Sequence, residues 1–419
     1  MSRLSIPLIS TDDAWAHLKQ LISPLPTESL ALSDAMDCYL ADTLSSDRDL
    51  PPQDRAASDG YAILCEDTHH GPTVLKVIDE TAHLTPGTCL RVITGNPTPL
   101  GCSAVVPEKD IDITDDTILI KEPILRSSHI LKQAHFSKKG TPLLEVGKQL
   151  KTGHLGLCAA IGHTSIPVVR RPKVAIISYG QNLVDCAAKP DKYQLREMNG
   201  TMFKAALSHA LYEVTTIDLV SEDPVALKQS VTDAMRDADA ILVTGGMSAE
   251  QSRLLPTVIT QLGGTIYYDG INIKPGQRQL LAKVNEQILF GLPGSSIGGL
   301  VGLHEFVLPA LRLLSGCSYK ECIPSIRLPL MRTVQVGGTR EHRILVKLQN
   351  TKYGPGLIPL SFTSSSDLVS ASKADGAARI EYGRTSVAAG QYVDFRPWGS
   401  GNFSNHCSTI GDQYVGANG

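Results

Sequence analysis

Aromatic residues are scarce, with Phe, Trp and Tyr making up 5% of the 419 positions. A surface that stacks successive bases needs such rings, so no nucleic-acid partner is expected. An excess of one charge sign is also missing: lysine and arginine number 39 against 42 aspartates and glutamates, a formal net charge of -3. Any electropositive site must therefore be local. No C-x-x-C pair occurs among the 9 cysteines, and the closest spacing, Cys317 to Cys322, matches no common zinc pattern. An odd, dispersed set reads as reduced thiols in a cytosol. Met1 to Ile9 carries a single basic residue before Thr11-Asp12-Asp13 opens an amphipathic helix. Neither a signal peptide nor a membrane span is expected, and the chain reads as soluble and cytoplasmic.

What is present is a repeated strand-and-turn pattern. Val174-Ala175-Ile176-Ile177 runs into Ser178-Tyr179-Gly180, Ala240-Ile241-Leu242-Val243 into Thr244-Gly245-Gly246-Met247-Ser248, and Ile288-Leu289-Phe290 into Gly291-Leu292-Pro293-Gly294-Ser295-Ser296. Strands apolar on both faces belong to a parallel sheet covered by helices, and such sheets bind ligands beyond their carboxyl ends. The three turns are expected to share one rim, which is the candidate site.

The length predicts two to four structural units. Residues 11 to about 45 have a helical pattern with Thr11 as cap and an interruption at Pro24, and a second helical stretch centres on Leu155 to Ile161. Short alternating runs between them, such as Thr73 to Ile78 and Thr117 to Ile120, predict a β-rich insert. From Lys173 to about Ser315 strands alternate with helices at 201–211, 224–236, 253–262 and 298–314, predicting a doubly wound α/β sheet with right-handed crossovers. Candidate strands 326–336, 343–349, 376–382 and 392–395 make the next segment β. The expected division is 1–48 with 140–171, mixed helical; 49–139, β-rich; 172–322, α/β; 323–398, β; and 399–419, a flexible tail rich in Gly, Ser and Asn. The fold class is thus α/β plus β, in a multidomain chain.

In Thr244-Gly245-Gly246-Met247-Ser248, glycines let the backbone approach a phosphate, the two hydroxyls add donors, and the following helix N-terminus adds positive dipole. A plain strand-to-helix turn uses the same residues. Ile271-Asn272-Ile273-Lys274-Pro275-Gly276-Gln277-Arg278 ends another apparent strand with two cations around a rigid Pro-Gly turn, so Lys274 and Arg278 are candidate phosphate partners, against the plainer alternative of solvated side chains. Asp59-Gly60 taken alone is a turn signature.

An ordered series of segments resembles the molybdopterin molybdenumtransferases of molybdenum cofactor biosynthesis, a family related to the gephyrin C-terminal domain. The series is Pro51-Pro52-x-Asp54-x-x-Ala57-x-Asp59-Gly60-Tyr61-Ala62, Thr94-Gly95-x-Pro97-x-Pro99-x-Gly101, Val105-Val106 with Glu108, Arg171-Pro172-x-Val174-Ala175, Thr244 to Ser248, Lys274-Pro275-Gly276, Gly291 to Gly294, and Ser370-x-x-x-Ala374-Asp375-Gly376. The resemblance implies an elongated homodimer of four domains: a linker and dimerisation domain, a β-rich insert, a molybdopterin-binding α/β domain and a barrel-like C-terminal β domain. The active cleft would lie between the α/β domain of one subunit and the β-rich segment of the other. It implies insertion of molybdate into adenylated molybdopterin with magnesium-dependent release of AMP. The pterin phosphates would meet Ser178, Gly180, Thr244, Gly245, Gly246, Met247, Ser248, Lys274, Pro275, Gly276, Arg278, Pro293, Gly294 and Ser295. Asp59 would serve the metal or the attacking oxygen, Arg340, Arg343, Ser365 and Ser370 would hold the oxyanion, and other proteins of cofactor biosynthesis are implied as partners. For those last four residues, solvated arginines and turn serines are the plainer alternative.

The chain departs from the family pattern at defined places. Gly180-Gln181-Asn182-Leu183 carries two amides where the family has two carboxylates, and Gln251 and Arg253 stand where acidic residues are usual. Ala134-His135-Phe136 replaces Gly-Glu-Asp, and Ser295-Ser296 replaces Asn-Pro. Magnesium prefers carboxylate oxygens, so these changes favour a bare oxyanion over a divalent cation. The expected activity is the transferase reaction; the alternative is a catalytically impaired relative that binds molybdopterin or an oxyanion without turnover.

Overall fold

The three apolar runs lie side by side in one six-stranded sheet. Its order is Glu213–Val220, Lys173–Tyr179, Ala240–Gly245, Gln287–Leu292, Leu280–Val284 and Thr265–Asp269. The first four strands are parallel. Their side chains alternate between two cores: Val174, Ile176, Leu242 and Phe290 face one, and Ala175, Ile177, Ile241, Val243 and Leu289 the other. That two-sided burial explains why these runs lack polar alternation.

The sheet is mixed rather than wholly parallel, because Leu280–Val284 pairs antiparallel with both of its neighbours. Asn285, at φ 52°, and Glu286 close a tight hairpin in which Val284 opposes Gln287. Two linking residues cannot make a parallel crossover, which takes a dozen or more. Helices Asn199–His209, Pro224–Ala234 and Leu254–Gln261 flank the sheet strands. Asp223 starts the second of them by accepting from the Val225 and Ala226 amides, with Pro224 pre-set for the first turn. The continuous helix Ser296–Leu314 is long and apolar enough to cross a membrane, yet 89% of it is buried, so it is a core helix.

The computed structural model describes residues 7–79, 83–210, 212–245 and 254–399. It divides into one unit of Met1–Glu28, Asp37–Ala41 and Pro167–Gly419 and a second of Ser29–Met36 and Asp42–Ile166. At the start of the first unit the helix spans only Thr11–Leu21, and Thr27–Ala31 is a strand. Pro24 and Pro26 stop the helical pattern that the sequence suggested to about residue 45. Ser10, not Thr11, is the cap: its hydroxyl accepts from the Asp13 amide, while Thr11 Oγ1 donates to Glu341 Oε2 at 2.7 Å.

The first unit also holds a ring of strands. Gly354–Pro359, Glu341–Thr351, Gly376–Ile380, Tyr392–Pro397 and Ile326–Pro329 pair in succession, and a bridge from Leu330 to Leu357 leads back to the first. Leu330, Val346, Leu357, Ala378 and Phe395 fill its interior. The second unit contains a sheet ordered Ala104–Pro107, Gly60–Ile63, Thr88–Val92, Thr73–Val77, Thr117–Ile120 and Ile111–Ile113, packed over Ile63, Leu75, Val106 and Ile118. The tail from 400 onward lies outside the described residues.

Candidate functional site

The bends that follow the three parallel strands converge. Tyr179 is the register partner of Gly245. A Cβ on Gly245 would lie 2.0 Å from the Tyr179 carbonyl oxygen, and its φ of 101° is one that glycine alone adopts easily. A Cβ on Gly294 would lie 3.2 Å from the Gly245 Cα. Backbones this close leave the strand ends on one rim.

Two side chains that sequence reasoning missed pin this rim. Asn199 Nδ2 donates to Thr244 Oγ1 at 2.8 Å and to the Gly294 carbonyl at 3.1 Å, tying the second bend to the third. Glu197 Oε1 accepts from Ser178 Oγ at 2.8 Å and from the Gly200 amide at 2.6 Å, tying the first bend to the same helix start. The available signal was a Glu and an Asn, both residues that satisfy free amides, at the onset of a helical pattern. These bonds correct the role expected of two hydroxyls. Ser178 is 1% exposed and donates to Glu197; Thr244 is 2% exposed and donates to the Pro293 carbonyl, so neither hydroxyl is free for a phosphate. Gly180 and Ser295 lie at the first and third bends. Gly246, Met247, Ser248, Gln251 and Arg253 lie outside the described residues.

Lys274 is not on the rim of the α/β sheet. Ile273–Lys274 pairs in parallel with Glu341–Thr351, which makes Lys274 the register partner of His342. Both line a cavity of about 590 Å³ that also takes in Pro275, Gly276, Arg340 and Ser365. The cavity adjoins the third bend, because the Ile297 amide donates to the Ser365 carbonyl at 2.9 Å and a Cβ on Gly276 would lie 3.4 Å from the Gly298 carbonyl. Among the described residues no carboxylate lines it. Burial first, then the charges of Lys274, Arg340 and Arg343, hold the His342 imidazole below its ordinary pKa.

Two of the expected anion ligands are committed elsewhere. Arg343 is 0% exposed, and its guanidinium lies 3.2 Å from Glu305 Oε2 and 3.0 Å from Glu341 Oε2, so its charge is neutralised inside the core although its strand borders the cavity. Ser370 Oγ donates to Asp367 Oδ2 at 2.7 Å as part of a helix cap. Arg278 does not line this cavity, and its charge opposes the upward push of burial on the Asp269 carboxyl. Asp59 belongs to the second unit, where its Oδ1 accepts from the Thr94 amide and hydroxyl, both at 2.7 Å, holding the exposed carboxyl below the usual range. A Cβ on the neighbouring Gly60 would lie 1.9 Å from the Val106 carbonyl oxygen, so close strand packing requires the glycine of the Asp-Gly pair. Among the described residues no group of three His, Cys, Asp or Glu side chains is placed to hold a metal ion.

This architecture defines a multidomain, mixed α/β protein with three glycine bends gathered at its strand ends. Three family models match in order: the MoeA N-terminal region (domain I and II) at residues 9–162, the probable molybdopterin binding domain at 175–313, and the MoeA C-terminal region (domain IV) at 327–398. The chain is 26% identical over 401 residues to the molybdopterin molybdenumtransferase of Staphylococcus aureus (strain COL), covering 92% of this chain and 94% of that protein. It is 28% identical over 335 residues to that of Bacillus subtilis (strain 168), covering 76% and 78%. A crystal structure of the molybdopterin biosynthesis MoeA protein from Pyrococcus horikosii superposes with a TM-score of 0.77 at 26% identity, over 94% of this chain and 99% of that one. A second, from Pyrococcus horikoshii OT3, gives 0.81 at 23% identity over 93% and 100%, which bears on the fold. The chain belongs to the MoeA family of molybdopterin molybdenumtransferases.

Proposed function

We propose that this chain is a transferase of molybdenum cofactor biosynthesis that inserts molybdate into adenylated molybdopterin and releases AMP. One observation carries the residue-level reading: a cavity lined by Lys274, Arg340 and His342, without a carboxylate, opens beside the third strand-end bend. In this reading Lys274 and Arg340 hold the molybdate dianion by charge-assisted hydrogen bonds. Pro275, Gly276 and Ser365 shape the cavity, and the rim at Gly180, Gly245, Pro293, Gly294 and Ser295 receives the pterin phosphates. Glu197 and Asn199 keep those bends in register, so the reacting groups meet in a fixed geometry. Asp59, ionised across the physiological range, is the candidate for activating the attacking oxygen.

Magnesium fits poorly as a protein-held ion. Among the described residues the rim offers the amides of Gln181 and Asn182, Asp223 is taken up as a helix cap, and Glu197 already accepts from Ser178 and Gly200. Substrate phosphates would have to supply most of its oxygen ligands, and no step is assigned to it. The four-segment organisation, the homodimer, other cofactor-biosynthesis proteins as partners and a cytoplasmic setting are parts of the same proposal. The test is AMP release from adenylated molybdopterin on adding molybdate, with and without magnesium. Release no faster than without protein, from a chain that binds the substrate, would remove the transferase reading.

A further inference from the structure

The charge around His342 is one-sided. On its own strand Arg343 precedes Ile344, and across the sheet His342 is paired with Lys274 on one side and Ile380 on the other. Arg340 lines the same cavity. The nearby carboxylates are engaged: Glu341 pairs with Arg343 and Arg379, and Glu381 lies 3.5 Å from Arg384. Glu305 lies 3.2 Å from Arg343 and 3.5 Å from Arg396, and Asp12 lies 3.1 Å from Arg379. His342 Nε2 accepts from the Gly337 amide at 3.4 Å, a bond open only to the neutral imidazole with its proton on Nδ1.

Burial and these cations together depress the affinity of the imidazole for a second proton. A dianion in the cavity would cancel the field of Lys274 and Arg340 at close range, and an imidazolium would then face an opposite charge instead of like ones. We propose that His342 takes up a proton from solvent when an oxyanion fills this cavity, so that anion affinity rises as the solution is acidified. The inference rests on the oxyanion reading of the cavity above. No covalent bond changes: Nε2 gains the proton, gives up the weak bond from Gly337, and the site becomes one charge more positive.

Calorimetric titration of the full chain with sulfate, and separately with molybdate, tests this in buffers of different ionisation enthalpy. Sulfate keeps its charge throughout, so its behaviour reports the protein. The expected result is net uptake of a fraction of one proton per anion near pH 6.5, and an affinity that rises about threefold to tenfold from pH 8 to pH 6. His342→Gln should bind without that uptake and with a flat pH profile. Binding by the unaltered chain with no proton uptake would overturn the coupling while leaving the oxyanion cavity standing. Uptake persisting in His342→Gln would overturn it equally. Failure of both anions to bind would overturn the cavity reading and the coupling with it. Should His342→Gln unfold, NMR titration of the His342 ring with and without sulfate decides the matter: its pKa must move up with the anion, and an unmoved value refutes the proposal.

Discussion

Lys274 and His342 are register partners across a parallel strand pair, although 68 positions separate them in the chain (342 minus 274). The short strand that carries Lys274 leaves the α/β segment and joins the C-terminal sheet. That exchange puts a lysine, an arginine and a histidine on one cavity wall.

Truncating that lysine should cost affinity without cost to the fold. Lys274→Ala is expected to weaken molybdate binding by roughly 1.5 kcal/mol, the low end for a charged hydrogen bond because the side chain is solvent-exposed. Calorimetry on the folded variant measures it, and unchanged affinity would assign the lysine to the solvated surface.

Asn199 should be a stability residue as much as a site residue. Asn199→Ala removes the donor shared by Thr244 Oγ1 and the Gly294 carbonyl and leaves the buried Thr244 hydroxyl without that donor. The expected loss is about 1–3 kcal/mol in urea unfolding, with a parallel fall in ligand affinity because two bends lose their tie. A variant as stable as the parent would show that the bends hold together by packing alone.

Arg343 and Glu305 form a buried pair, 0% and 1% exposed. Arg343→Ala leaves buried Glu305 with only Arg396, at 3.5 Å, and is expected to destabilise by about 3 kcal/mol. Adding Glu305→Leu should recover at least ~1 kcal/mol of that loss, since the two sites are in contact. Equal unfolding midpoints for the single and double variants would contradict a direct coupling.

His304 predicts an acid weakness. It stacks on Trp398 with ring centroids 5.5 Å apart, and burial lowers its pKa from the ordinary 6.5 to about 3. Between those values the unfolded chain binds a proton that the folded chain refuses, so stability falls as pH drops from about 6.5 towards 3 and is unaffected above 7. His304→Phe keeps the ring and should flatten that part of the profile. An unchanged slope between pH 6.5 and 4 would place the acid sensitivity elsewhere.

The α/β strands were legible because burial on both faces leaves a continuous apolar run, and the helix at Pro224 because an Asp-Pro start is unambiguous chemistry. The strand Gly354–Pro359 was not anticipated: its glycines and prolines have little strand propensity, and only pairing with Glu341–Thr351 makes it a strand. Arg343 looked like an available cation because sequence shows charge and not its partners. Glu197 and Asn199 were overlooked because the sequence does not reveal which distant hydroxyl or carbonyl a side chain will reach.

Local pattern determined the order of strands and helices along the chain, the glycine bends and the family, since each depends on residues close together in sequence or on their ordered succession. Tertiary structure alone decided which cations remain open to an anion. Strand pairing brought Lys274, Arg340 and His342 to one cavity and closed Arg343 against Glu305 and Glu341, because electrostatic neutralisation acts through space over a few ångströms and is indifferent to position in the chain.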